Sequence, residues 1–139
     1  MLRFPSNHHL ALCTLSFDGK EAVFYYDGST QQEAVDELFY GFRAAFFYLA
    51  ALHGKYALHS ASNYYQEKAW LYSASSGTGK TTHVKLWEKL YAVPVLNGDL
   101  NLLGMEKDEV FVYGIPWCGT SGVYTTKKYP LGGIILLKR

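Results

Sequence analysis

The residues Ala74, Ser75, Ser76, Gly77, Thr78, Gly79, Lys80, Thr81 and Thr82 run consecutively. This order of small, glycine and cationic residues is suited to holding phosphate. Glycines let successive backbone N–H groups turn toward phosphate oxygens. A lysine adds positive charge, a Ser/Thr hydroxyl reaches Mg²⁺, and a following helix presents its positive end. The common form of the motif is G-x-x-x-x-G-K-[ST]. Gly79, Lys80 and Thr81 meet its second half, and Ala74 stands at its first glycine. The reading places Lys80 on the β- and γ-phosphates and Thr81 on Mg²⁺. The backbone of Ser75, Ser76, Gly77, Thr78, Gly79, Lys80, Thr81 and Thr82 would line the nucleotide phosphates. A flexible Ser/Gly turn ahead of a helix is the rival reading.

Two further residues could join this chemistry. A two-residue turn at Gln66 and Glu67 would bring Tyr65 opposite Lys68 and, by antiparallel register, His59 opposite Ala74. A histidine there can orient a phosphate or help move a proton. The alternative is a strand histidine that only packs. Asp99 follows a short apolar stretch, Val93, Pro94, Val95 and Leu96. An acid at the end of such a strand can hold Mg²⁺. The alternative is a turn aspartate, since Asn97 and Gly98 form a favoured turn pair.

These residues need elements to position them. Residues 9–17 and 21–26 read as strands around Asp18 and Gly19. Ser29 or Thr30 would cap a helix over 31–52, with Val35, Leu38, Phe39, Phe42, Phe46 and Leu49 as its packed face. Residues 55–64 and 69–74 form a hairpin that enters the glycine-rich loop. A helix over 79–91 would pack through Val84, Leu86, Trp87 and Leu90. Strands follow at 93–96, 100–103 and 109–113. Residues 114–130 form a long loop, and 132–137 a last buried strand. Hairpins outnumber helices, so the fold class is α/β with a mixed, antiparallel-rich sheet and the glycine-loop helix packed on it. The chain reads as one nucleotide-binding domain, 1–139, with an N-terminal hairpin and helix over 1–54 and a P-loop core over 55–139.

The composition narrows the class further. The chain has 139 residues, 49% hydrophobic and 17% aromatic, with a net charge of +1. It is long enough for a real core, and its charge favours neither nucleic acid nor an anionic membrane. Cys13 and Cys118 do not make a disulfide framework or a metal motif. No signal peptide or membrane span is read, so the expected location is cytoplasmic. The arginines are Arg3, Arg43 and Arg139. Positive charge for phosphoryl transfer would therefore come from Lys80, Mg²⁺ and Lys127 or Lys128. His8, His9, His53 and His83 have no such placement, and His83 reads as a packing or solvated residue.

Leu58, His59, Ser60 and Ala61, followed by a hairpin and the run from Ser73 through His83, resemble the catalytic domain of HPr serine kinase/phosphorylase. The likeness is nearer still to bacterial HPr-kinase-like proteins. It continues through Val95-Leu96-Asn97-Gly98-Asp99, Tyr113-Gly114-Ile115-Pro116-Trp117 and the segment from Pro130 to Leu137. The resemblance implies a phosphoenolpyruvate-carboxykinase-like fold, Mg-ATP, and phosphoryl transfer to a serine hydroxyl of a protein or peptide. It implies catalytic roles for His59, Lys80 and Asp99, and Mg²⁺ on Thr81 and Asp99. Three positions depart from the family. Gly98 stands where the first of two acids is usual, Ala74 replaces a glycine, and Thr120 replaces a frequent lysine. The chain ends soon after the Leu136-Leu137 strand, where relatives continue. The rival function is a nucleotide-binding regulatory module with weak or no catalysis. The donor (ATP, GTP or pyrophosphate) stays open, as does a homo-oligomer.

Overall fold

The segment 55–65 organises most of the second unit, residues 55–139. In the computed structural model, which describes residues 2–3 and 9–138, these residues form one eleven-residue strand, β4 (Lys55–Tyr65). Ser60, Ala61, Ser62 and Asn63 are all buried, so this strand is covered on both faces.

The chain divides into two compact units, Met1–Gly54 and Lys55–Arg139. In the first, β1 (Leu2–Arg3), β2 (Leu10–Leu15) and β3 (Ala22–Tyr26) form an antiparallel sheet in that order. Helix α1 (Gln32–Leu52) follows. Its N-cap is Gln31, not Ser29 or Thr30, and no side chain caps it. The buried residues of α1 are Ala34, Gly41 and Ala45, not the large apolar stripe read from the sequence. A Cβ on Gly41 would lie 2.2 Å from Leu10 Cδ2. The close approach of helix to strand is therefore made by small residues. Val35, Phe39 and Phe42 stay about half exposed at 48%, 50% and 48%.

The second unit holds β4, β5 (Lys68–Ser73), α2 (Lys80–Tyr91), β6 (Val95–Asn97), β7 (Leu100–Glu106), β8 (Glu109–Tyr113) and β9 (Lys128–Leu136). The strand order β5-β9-β8-β7-β4-β6, with β4 also paired to β5, closes a ring of five strands. The sheet is mixed, because β5 and β9 run parallel while β4, β7 and β8 pair antiparallel with their neighbours. The expected α/β class with a mixed, antiparallel-rich sheet is what the chain adopts. Inside the ring pack Ala69, Leu71, Leu96 and Val112, with Leu58, Tyr64, Leu103, Tyr129 and Leu131 around them. On the outer face α2 rests on Ala61 and Tyr72 through Val84.

Several boundaries differ from the sequence reading. Strand β6 starts at Val95 rather than residue 93, because Pro94 follows the buried Val93 without a ladder position. Strand β9 starts at Lys128, pairing with Tyr113, so the long loop is shorter. It also carries one 3₁₀ turn, Gly119–Ser121. Strand β9 is not buried throughout, as Ile134 and Leu136 are 46% and 70% exposed. On α2 only Lys80 and Val84 are buried, whereas Leu86 and Leu90 are exposed. His83 is a packing residue, accepting a hydrogen bond from Trp87 Nε1 at 3.1 Å and lying against Tyr72. Among the described residues no helix is long and apolar enough to cross a membrane. His8 and Arg139 lie outside the described residues.

Candidate functional site

Strand β4 changes neighbours at its midpoint. Lys55 through His59 pair with β7, and Ser60 through Tyr65 pair with β5. Ser60 opposes Ser73 and Tyr65 opposes Lys68, so the register set by the Gln66-Glu67 turn is the one expected. Those two residues take φ values of 50° and 61°, the left-handed pair of a tight hairpin turn. His59 stands at the point where the two halves part, and Ser73 Oγ donates to His59 O at 3.0 Å. A buried polar set fixes this point. Asn101 Nδ2 donates to Ser60 O at 2.7 Å and Ser60 Oγ at 3.0 Å, and Ser62 Oγ donates to Asn101 Oδ1 at 2.7 Å.

The turn from β5 into α2 opens at the same place. Gly77 and Gly79 take φ values of 73° and 100°, conformations that side chains disfavour. No side chain caps α2 at Gly79, which leaves the first N–H groups of the helix without intrahelical partners. Lys80 is 7% exposed, and its Nζ donates to Ala74 O at 3.1 Å and Ser75 O at 3.4 Å. Among the described residues no carboxylate pairs with it. A buried ammonium held only by carbonyls is a strong acceptor site for an anion.

Asp99 reaches the site through Asn97. The Asn97 Oδ1 accepts from Asp99 N at 2.9 Å and Leu100 N at 3.1 Å, while its Nδ2 donates to Ile115 O at 3.1 Å. Ser60 N then donates to Asp99 O at 3.0 Å. Asp99 Oδ1 lies 3.2 Å from His59 Nε2. Thr81 Oγ1 donates to Gly98 O at 3.1 Å, tying α2 to the same turn. A pocket of about 410 Å³ is lined by His59, Ser76, Gly77, Gly79, Lys80, Thr81, Thr82, Gly98, Asp99 and Thr120. Of the residues singled out in the sequence, Ser75 and Thr78 do not line it. They form the back of the turn, where Thr78 N donates to Ser75 O at 3.3 Å.

The oxygens at the pocket suit a hard cation. Thr81 offers a hydroxyl and Asp99 a carboxylate, and Asp99 Oδ2 has no hydrogen-bond partner among the described residues. Oxygen donors of this kind suit Mg²⁺, which keeps several waters and phosphate oxygens. Among the described residues no group of three or more His, Cys, Asp or Glu forms a metal cluster.

The expected contribution of Lys128 is not found. Its Nζ pairs with Glu106 and lies over the Phe111 ring, and neither Lys127 nor Lys128 lines the pocket. Arg43 lies over the Tyr40 ring in the first unit. The environment of Gly98 was not legible in the sequence. A Cβ there would lie 2.3 Å from Ser121 Cβ and Oγ. The 3₁₀ turn therefore packs directly on Gly98. The Asn-Gly-Asp turn and the Gly119-Thr120-Ser121 run were the available signals, but neither says that the two segments meet.

No protein-family model and no curated protein matches the sequence. Among solved structures, the chain has a distant likeness to the Hpr(Ser) kinase/phosphatase from Coxiella burnetii. The TM-score is 0.47 at 11% identity, over 60% of this chain and 59% of that one. The chain thus spans less than two thirds of that protein's length. What the pocket can do is read from its own residues.

Proposed function

We propose that the second unit is a P-loop site for a nucleoside triphosphate with Mg²⁺, ATP being the first candidate. We propose further that it transfers the terminal phosphoryl group to a serine hydroxyl of a protein or peptide. The observation that carries this reading is the buried Lys80 ammonium, without a carboxylate partner, in the same pocket as the His59–Asp99 pair. Lys80 and the N–H groups at the start of α2 would hold the phosphates. Thr81 and Asp99 would hold Mg²⁺, which when bound neutralises charge on the phosphate oxygens. Asp99 accepts the hydroxyl proton, and His59 at its Oδ1 orients the carboxylate and takes up part of the developing charge. With little covalent work to do, catalysis here is mostly positioning and electrostatics.

A second reading is a nucleotide-binding module without transfer. It is favoured by Ser121, which occupies the space a side chain at Gly98 would need. Phosphate release from Mg-ATP, with calorimetric binding alongside, separates the two. Turnover that is lost in Lys80→Ala and Asp99→Asn supports the kinase. Binding without turnover supports the module, and no binding removes both.

A further inference from the structure

The 3₁₀ turn Gly119–Ser121 does more than cover Gly98. Gly119 has a φ of 58°, and a Cβ on it would lie 2.9 Å from Asp99 Cβ and Cγ and 3.2 Å from Oδ2. The backbone of the turn thus lies against the carboxylate, on the side of Oδ2. The next residue, Thr120, is exposed and lines the pocket with Lys80, Thr81 and His59.

The hydroxyls around this pocket are not equivalent. Ser121 Oγ donates to Cys118 O at 2.6 Å and accepts from Val123 N at 3.2 Å. Thr81 Oγ1 donates to Gly98 O. Ser76 and Thr82 belong to the loop and helix start that would hold the phosphates. Thr120 comes from the turn that packs on Gly98 and Asp99, and its hydroxyl has no hydrogen-bond partner among the described residues. A free hydroxyl beside a carboxylate, in one pocket with a phosphate-holding loop, occupies the place of a phosphoacceptor.

We propose that Thr120 is an intramolecular phosphorylation site, resting on the reading of the pocket as a nucleoside triphosphate site. Thr120 Oγ1 attacks the γ-phosphorus. The new O–P bond forms as the bond from that phosphorus to the β–γ bridging oxygen breaks. The nucleoside diphosphate leaves with the bond's electron pair, and the hydroxyl proton passes to Asp99. The product carries about −1.5 to −2 charge in the pocket that Lys80 and Asp99 also line. Modification therefore occupies the phosphate site and slows further nucleotide entry.

The test uses the purified full chain, Mg²⁺ and γ-labelled ATP, with no other protein. The expected result is one phosphoryl group mapped to Thr120 by tandem mass spectrometry. Its first-order rate constant should not change on serial dilution of the protein. Thr120→Val should lose the label and Thr120→Ser should keep it. Label on another residue, or a rate constant that falls with dilution, overturns the proposal. If calorimetry finds Mg-ATP bound and no label forms, the proposal is wrong and the binding reading stands. If Mg-ATP does not bind, the binding reading fails and the proposal falls with it.

Discussion

Gly98→Ala is the most informative small change in this chain, because the sequence reads Asn97 and Gly98 as a turn pair and does not disclose what packs on it. In the structure the added Cβ would lie 2.3 Å from Ser121 Cβ and Oγ and 3.5 Å from Cys118 O. Ser121 cannot swing aside freely, since its Oγ holds Cys118 O at 2.6 Å. Overpacking of this kind costs about 1–3 kcal/mol. Reduced freedom of the unfolded chain returns about 0.4–1 kcal/mol, so from the middle of both ranges a net loss of about 1.3 kcal/mol is expected. All three tryptophans, Trp70, Trp87 and Trp117, lie in the second unit, so urea unfolding followed by tryptophan fluorescence reads that unit. The midpoint should fall with an unchanged slope. In a Ser121→Gly background the same change should cost almost nothing. If Gly98→Ala unfolds at the parent midpoint, or if the two effects add within about 0.3–0.5 kcal/mol, the packing of the turn on Gly98 is refuted. The same clash predicts that Gly98→Asp does not raise phosphate release unless Ser121 is also reduced to glycine.

Other outcomes follow from the same geometry. Asn101→Ala removes the partner of Ser60 and Ser62 inside the ring. It should cost about 1–3 kcal/mol by leaving buried polar groups unpaired, read from the same urea curves. His59→Ala should lower phosphate release from Mg-ATP by about 10²-fold, the lower range for acid–base groups. Its Mg-ATP affinity, measured by calorimetry, should change far less. Burial, and then the hydrogen bond to Glu106, push Tyr113 up to about 12, against about 10 in an unfolded chain. The fold thus keeps a proton that the unfolded chain loses. The stability this contributes is complete below about pH 10 and disappears as the pH rises through about 12. Wild type should lose urea resistance over that window more steeply than Tyr113→Phe. The hydrogen bonds from Lys128 and Tyr113 hold Glu106 below the usual carboxylate range. Its contribution should be present above about pH 4.5 and fade as the pH falls further.

Much of the second unit was legible because its signals are local. The Gln66-Glu67 turn set the β4–β5 register, and that register alone carried His59 to the glycine-rich loop. The strand–loop–helix order around Gly79, Lys80 and Thr81 placed Lys80 at the start of α2. What the sequence did not disclose depends on contacts across long separations. Leu86 and Leu90 lie two and six residues beyond Val84, on the other side of α2, so they stay exposed while Val84 and Trp87, three residues apart, face the sheet. In α1 the large residues carry the periodicity, whereas the burial goes to Ala34, Gly41 and Ala45, because Leu10 needs the space that a glycine leaves. The meeting of Gly98 with Ser121, and of Gly119 with Asp99, joins segments that no periodicity connects. Asn97 is the same kind of case. It reads as a turn residue, yet its side chain positions Asp99, Leu100 and Ile115 together.

The central claim is that the pocket around Lys80 holds the phosphates of a nucleotide. Calorimetric titration of the full chain with Mg-ATP, wild type against Lys80→Ala, tests it most directly. Both proteins should first be shown to unfold at comparable urea concentrations. The account predicts saturable binding to wild type that weakens by at least about 10²-fold in Lys80→Ala, the loss expected of a buried charge-assisted contact worth roughly 3 kcal/mol. Equal affinity in the two proteins, or no binding to wild type, contradicts it.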